Sequence, residues 1–112
     1  MITNSVIQAL YRKYRRRPTS VDTLDIHLLY ESAHISHAVS IEDETLYIHS
    51  IPENNPFHAV NINHIHAIVE FEESVAIVLH SSILFLNKTN NDVKIHIKPI
   101  KDSLWNRIKD RF

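Results

Sequence analysis

Not one of the 112 residues is glycine, where average usage of about 7% would place roughly eight. The absence bears first on the turns. Wherever the backbone must take positive φ, the chain has to use asparagine or aspartate, whose short polar side chains tolerate that region best. Pro52-Glu53-Asn54-Asn55-Pro56 and Thr89-Asn90-Asn91-Asp92 stand between apolar runs, and both read as hairpin connections. The absence also removes the P-loop, the dinucleotide fingerprint and the nucleophile elbow, each of which needs glycine. With no cysteine either, disulfides, thiolate metal sites and cysteine nucleophiles are excluded.

The hydrophobic period divides the chain into three. Over residues 3–17, Val6, Leu10 and Tyr14 recur every four residues beside Ile7 and Tyr11, with Asn4 or Ser5 placed to cap; this predicts a helix that Pro18 stops. From 21 to 98 the period is two, as expected of antiparallel strands. Leu24, Ile26, Leu28 and Tyr30 share one face of a first strand, and Val39-Ile41, Leu46-Ile48, Val60-Ile62, the run Ile65–Phe71 and two runs within 75–86 follow. Val93, Ile95 and Ile97 then alternate with Lys94, His96 and Lys98. Beyond Pro99, Leu104, Trp105, Ile108 and Phe112 fall on one stripe with Asp102 as cap, predicting a closing helix over 102–112. The length and the 44% apolar content suit one compact domain spanning 1–112. No stretch approaches the roughly 18 apolar residues of a membrane-spanning helix. The N-terminal apolar residues precede the arginines, the reverse of a secretory signal, so a cytoplasmic protein is expected.

Order and spacing in residues 37–112 carry a resemblance. Val39-Ser40-Ile41-Glu42-Asp43 leads into Leu46-Tyr47-Ile48, Val60-Asn61-Ile62-Asn63-His64-Ile65 follows as strand and short turn, and Val93 to Lys98 is succeeded by Pro99, Asp102, Trp105 and Ile108. This stretch resembles the small bacterial pleckstrin-homology-like (PH-like) domains of the YyaB-like group. The resemblance implies an α+β fold: a PH-like antiparallel β-roll or barrel of about seven strands closed by a C-terminal helix, here with an extra N-terminal helix and strand. Where such domains carry a basic lipid-binding loop, this chain has the acidic pair Asp43-Glu44, so phosphoinositide binding is not expected there.

The net charge of −1 conceals a segregation. Arg12, Lys13, Arg15, Arg16 and Arg17 face no acid within residues 1–17, residues 18–87 hold ten acids and no Lys or Arg, and residues 88–112 are basic again. Such asymmetry marks a contact surface or self-association, although cations at a helix C-terminus also stabilise the helix itself. Tyr11 and Tyr14 interleave with the bases, as suits a lipid headgroup layer or stacking. Nucleic acid is disfavoured because the acidic middle repels phosphate.

Nine histidines raise the question of a metal. His64 and His66 would share a strand face, with His80 and His96 as further ligands, but such pairs arise readily by chance and no metal is expected. His58 shares phase with Val60 and Ile62 and is expected to be buried or at an edge, chiefly as a hydrogen-bonded core histidine, while His27, His49 and His96 fall on polar faces. Ser81 and Ser82 beside His80 lack a third group to orient the base, and Glu70, Glu72 and Glu73 read as a charged hairpin tip. Neither catalysis nor a cofactor is expected. The expected function is an interaction module that binds a protein partner or itself through Tyr11, Arg12, Lys13, Tyr14, Arg15, Arg16, Arg17 and an open sheet edge. Peripheral attachment to an anionic membrane through the basic helix is the second expectation, and a histidine-based metal protein the third.

Overall fold

The structure, a computed structural model, describes residues 2–19, 24–33, 35–50 and 56–97. Helix α1 (Ser5–Lys13) and helix α2 (Leu24–Ser32) precede strands β1 (Ile35–Glu42), β2 (Thr45–Ser50) and β3 (Pro56–Asn61). A short 3-10 turn (Ile62–His64) leads to β4 (Ala67–Glu70), β5 (Ser74–Val78), β6 (Ser82–Asn87) and β7 (Val93–Ile97). The fold is α+β and antiparallel. The strand order is β3-β2-β1-β7-β6-β5-β4, so the two end strands remain unpaired with each other and no closed barrel forms among the described residues.

Strand β1 joins two halves. Its first residues, Ile35 and Ser36, pair with Ile95 and Lys94 of β7, whereas His37 to Glu42 pair with β2. The change of partner separates a three-stranded half, β1–β3, from a four-stranded half, β4–β7. Their inner faces supply one core: Leu46 and Ile48 from the first half, Ile68, Val75, Ile77, Leu84, Leu86, Val93 and Ile95 from the second, with Ile7, Leu10 and Tyr14 of the N-terminal segment packed among them.

The N-terminal helix is therefore a core element and does not project. Asn4 caps it, its Oδ1 accepting from the amides of Val6 and Ile7, while its Nδ2 donates to the carbonyls of Asn87 and Asn90. The Thr3 and Asn4 amides also donate to the Lys88 carbonyl, tying the helix start to the β6–β7 turn. The helix is shorter than the expected 3–17: it ends at Lys13, and Tyr14 is extended at ψ 115°. The reason lies beyond Pro18. Thr19 donates to the Ile68 carbonyl and accepts from the Glu70 amide, both at 2.8 Å, forming a parallel bridge with Val69. Reaching β4 takes an extended backbone, which covers about twice the distance per residue of a helix.

The expected strand at 21–30 is also corrected, since residues 24–32 are helical. Ile26, Leu29 and Ala33 are buried and Tyr30 is half-buried, while Leu28 is 45% exposed. That is helical spacing, i, i+3, i+4, i+7. The physical cause is the second face of β4–β6. Ala67, Val69, Ala76, Val78, Ile83 and Phe85 point away from α1 and would meet water without α2. Strands covered on both faces need continuous apolar runs, and β5 and β6 have them, whereas β2 alternates buried and half-buried residues. The expected sheet span of 21–98 thus begins at Ile35, and the expected closing helix at 102–112 lies outside the described residues.

The hairpin connections follow the turn chemistry forced by the lack of glycine. Asp43, in the β1–β2 turn, is the one described residue at positive φ, 54°. In the β6–β7 turn the Asn87 side chain accepts from the Thr89 and Asn90 amides, and the Asn90 side chain from the Asp92 amide. β2 and β3 pair as antiparallel neighbours across the proline-flanked connection.

Candidate functional site

The basic segment is pinned at both ends. Tyr14 is 9% exposed and sits in the core, and Thr19 holds the other end to β4. Between them Arg15, Arg16 and Arg17 are exposed, as is Arg12 on the last helical turn. The Arg16 guanidinium lies 5.7 Å from the Tyr14 ring centroid, and among the described residues no carboxylate pairs with Arg12, Arg15, Arg16 or Arg17. A shallow pocket of about 170 Å³ beside them is lined by Tyr14, Arg16, Arg17, Thr19, His66 and the Ala67–Ile68 end of β4. Lys13 behaves differently. It is half-buried and its ammonium donates to the Asp43 carbonyl in the β1–β2 turn, a structural tether.

Tyr11 and Tyr14 face inward. Tyr11 packs against the core, and its hydroxyl is buried near Glu70 without ordinary hydrogen-bond geometry to an acceptor. Burial pushes this hydroxyl up to about 12, with the Glu70 carboxylate adding to the effect. Glu70 itself pairs with Lys88 at 3.0 Å. Tyr14 meets the Arg16 guanidinium with its ring but is otherwise buried in the core, and Tyr11 faces the core, so neither is an exposed stacking platform.

At the far end of β4, Phe71, Glu72 and Glu73 form the β4–β5 turn, so the expected charged hairpin tip is present. A second pocket, about 280 Å³, opens between this turn and α2. Its walls include Ile26, Tyr30, Phe71 and Phe85 with His27, Ser74 and Asn87 among them, and Glu72 and Glu73 stand exposed at its rim. The rings are mutually braced: Tyr30 meets Phe85 edge-on at 5.2 Å, and His27 lies 4.5 Å from Phe71. The strand reading of 24–30 hid this pocket. The spacing of Ile26, Leu29, Tyr30 and Ala33 was the signal that could have shown it.

The histidines are dispersed. His58, His64 and His80 are exposed and His66 is half-buried; His58 lies on the end strand β3, at the sheet edge, and is not the hydrogen-bonded core histidine expected as its main role. His49 shares a 2.9 Å hydrogen bond with Ser40, and His96 lies 3.5 Å from Ser32. His37, which the sequence did not single out, is buried on β1. Among the described residues no three His, Asp or Glu side chains gather as metal ligands. No helix among them is long and apolar enough to cross a membrane. Compared with known families, curated proteins and solved structures, the chain matches none.

Proposed function

We propose that this chain is a cytoplasmic, non-catalytic interaction module built on a PH-like roll, and that it binds an acidic protein surface through Arg12, Arg15, Arg16 and Arg17 beside the end strand β4. The roll is favoured by a meander of antiparallel strands bent into two halves around one helix. The observation that carries the function is the anchoring of the arginines. Three consecutive guanidiniums are exposed on backbone fixed by a core tyrosine on one side and a bridge to β4 on the other. A positioned cation cluster loses less conformational entropy on binding than a free tail does. Its planar forks suit carboxylates.

Fluorescence anisotropy with a labelled oligoglutamate peptide at low and high salt tests this reading. Saturable binding that weakens with salt and is lost in Arg15→Glu/Arg16→Glu supports it. No binding, or binding unchanged in that variant, overturns it. Vesicles containing phosphatidylserine serve as the second arm: pelleting on them without peptide binding would assign the arginines to a membrane surface instead.

A further inference from the structure

The pocket between α2 and the β4–β5 turn combines aromatic rings with two carboxylates. We propose that it receives an arginine side chain from the Arg15–Arg17 segment of a second copy of this chain. This inference rests on the interaction-module reading above and names its partner.

Three observations support the assignment. The walls combine Ile26, Tyr30, Phe71 and Phe85 with the polar side chains of His27, Ser74 and Asn87, while the rim carries the two carboxylates of Glu72 and Glu73. Aromatic faces with carboxylates at the mouth attract guanidinium and ammonium groups, because the ring quadrupole and the charge act in the same direction. The Tyr30 ring already meets one cation outside the pocket lining, since Lys94 Nζ lies 4.5 Å from its centroid. In size, about 280 Å³ falls just below the roughly 300–1,000 Å³ of pockets for drug-sized ligands. It suits one long side chain.

Charge decides the occupant. Glu70 is neutralised by Lys88, but among the described residues Glu72 and Glu73 have no basic partner. Residues 18–87 contain no Lys or Arg, and Lys88, which lies beside Glu72 and Glu73, directs its ammonium to Glu70. Among the described residues the exposed Lys and Arg side chains are Arg12, on α1, and Arg15–Arg17, on the extended segment that the Thr19 bridge holds. Segment and pocket are different patches on one chain: a reciprocal exchange of the two closes a two-fold dimer, whereas a one-way contact is head-to-tail and closes into a ring or continues as a chain.

The experiment uses the full chain and a labelled peptide with the sequence of residues 13–20. Saturable peptide binding at low salt is expected, weakened about tenfold or more by Glu72→Gln/Glu73→Gln, a change of exposed side chains only. Phe71→Leu, which keeps apolar bulk and removes the ring, is expected to weaken it as well. Light scattering on the full chain should show concentration-dependent assembly that both Glu72→Gln/Glu73→Gln and Arg15→Glu/Arg16→Glu abolish. Peptide binding equal in wild type and the glutamine variant, or no saturable binding, overturns the pocket assignment. Oligoglutamate binding read on the same preparations separates the two failures: it persists if only the pocket is wrong and is lost if the arginine face is wrong.

Discussion

Thr19 and Val69 form a parallel bridge, with the Thr19 amide donating to the Ile68 carbonyl and its carbonyl accepting from the Glu70 amide. This pairing fixes the arginine segment and covers part of the β4 edge, which would otherwise present unpaired backbone groups. Thr19→Pro removes the donor. A loss of about 1 kcal/mol in urea denaturation is expected, together with faster amide exchange at Glu70 and weaker oligoglutamate binding. Unchanged exchange at Glu70 would mean that the bridge does not hold the segment.

Asn4 is 2% exposed and serves the helix and the β6–β7 turn together. Asn4→Ala is expected to cost about 2 kcal/mol or more, from the lost cap and two abandoned carbonyl acceptors. Asn4→Asp should not restore it. Aspartate keeps the cap but turns an acceptor toward the Asn87 and Asn90 carbonyls. Full rescue by aspartate would show that capping alone matters.

The helical identity of residues 24–32 has a direct test in two truncations. Ile26→Ala should cost about 2–5 kcal/mol and Leu28→Ala within about 0.5 kcal/mol, since Ile26 is fully buried and Leu28 is 45% exposed. A strand would place both residues on one face and make the two losses similar. Leu10→Ala belongs with Ile26→Ala, because Leu10 is completely buried in the core.

Alkaline pH reads the burial of Tyr11. Its hydroxyl titrates near 12 in the folded chain against 10.0 for a free group. A raised folded value means that the contribution is fully present below pH 10 and is lost as pH rises towards 12. Wild type should therefore lose stability across that window more steeply than Tyr11→Phe. Parallel curves for the two proteins would place the hydroxyl in water.

Asp43 adopts φ 54° with its carbonyl accepting from Lys13. Asp43→Val should destabilise the β1–β2 hairpin by about 1–2 kcal/mol, the cost of a Cβ-branched residue in left-handed backbone. Asp43→Gly should be tolerated. Thermal melting of the two variants distinguishes local backbone strain from loss of the carboxylate, which both share.

Much of the fold was legible because period and turn chemistry are local. The strands at Leu46–Ile48 and Val93–Ile97, the Asn4 cap, the asparagine-rich turn at 87–92 and the acidic tip at Glu72-Glu73 all follow from neighbouring residues. The arginine segment was equally visible as a charge run. Residues 24–30 were ambiguous because Ile26, Leu28 and Tyr30 satisfy period two while Ile26, Leu29, Tyr30 and Ala33 satisfy the helical period. So short a run cannot decide between them.

The sequence by itself therefore determined the chemistry of this chain: no glycine-dependent or thiolate site, carboxylates gathered in the middle, guanidiniums gathered before Pro18. Tertiary structure alone decided where those groups meet. The outer face of β4–β6 required a covering layer, which made residues 24–32 a helix and created the aromatic pocket beside Glu72 and Glu73. The edge of β4 drew Thr19 into a bridge, which ended α1 at Lys13 and left Arg15, Arg16 and Arg17 anchored and exposed. Burial and edge pairing depend on residues some 50 positions apart, such as Thr19 and Val69, and no local pattern encodes them.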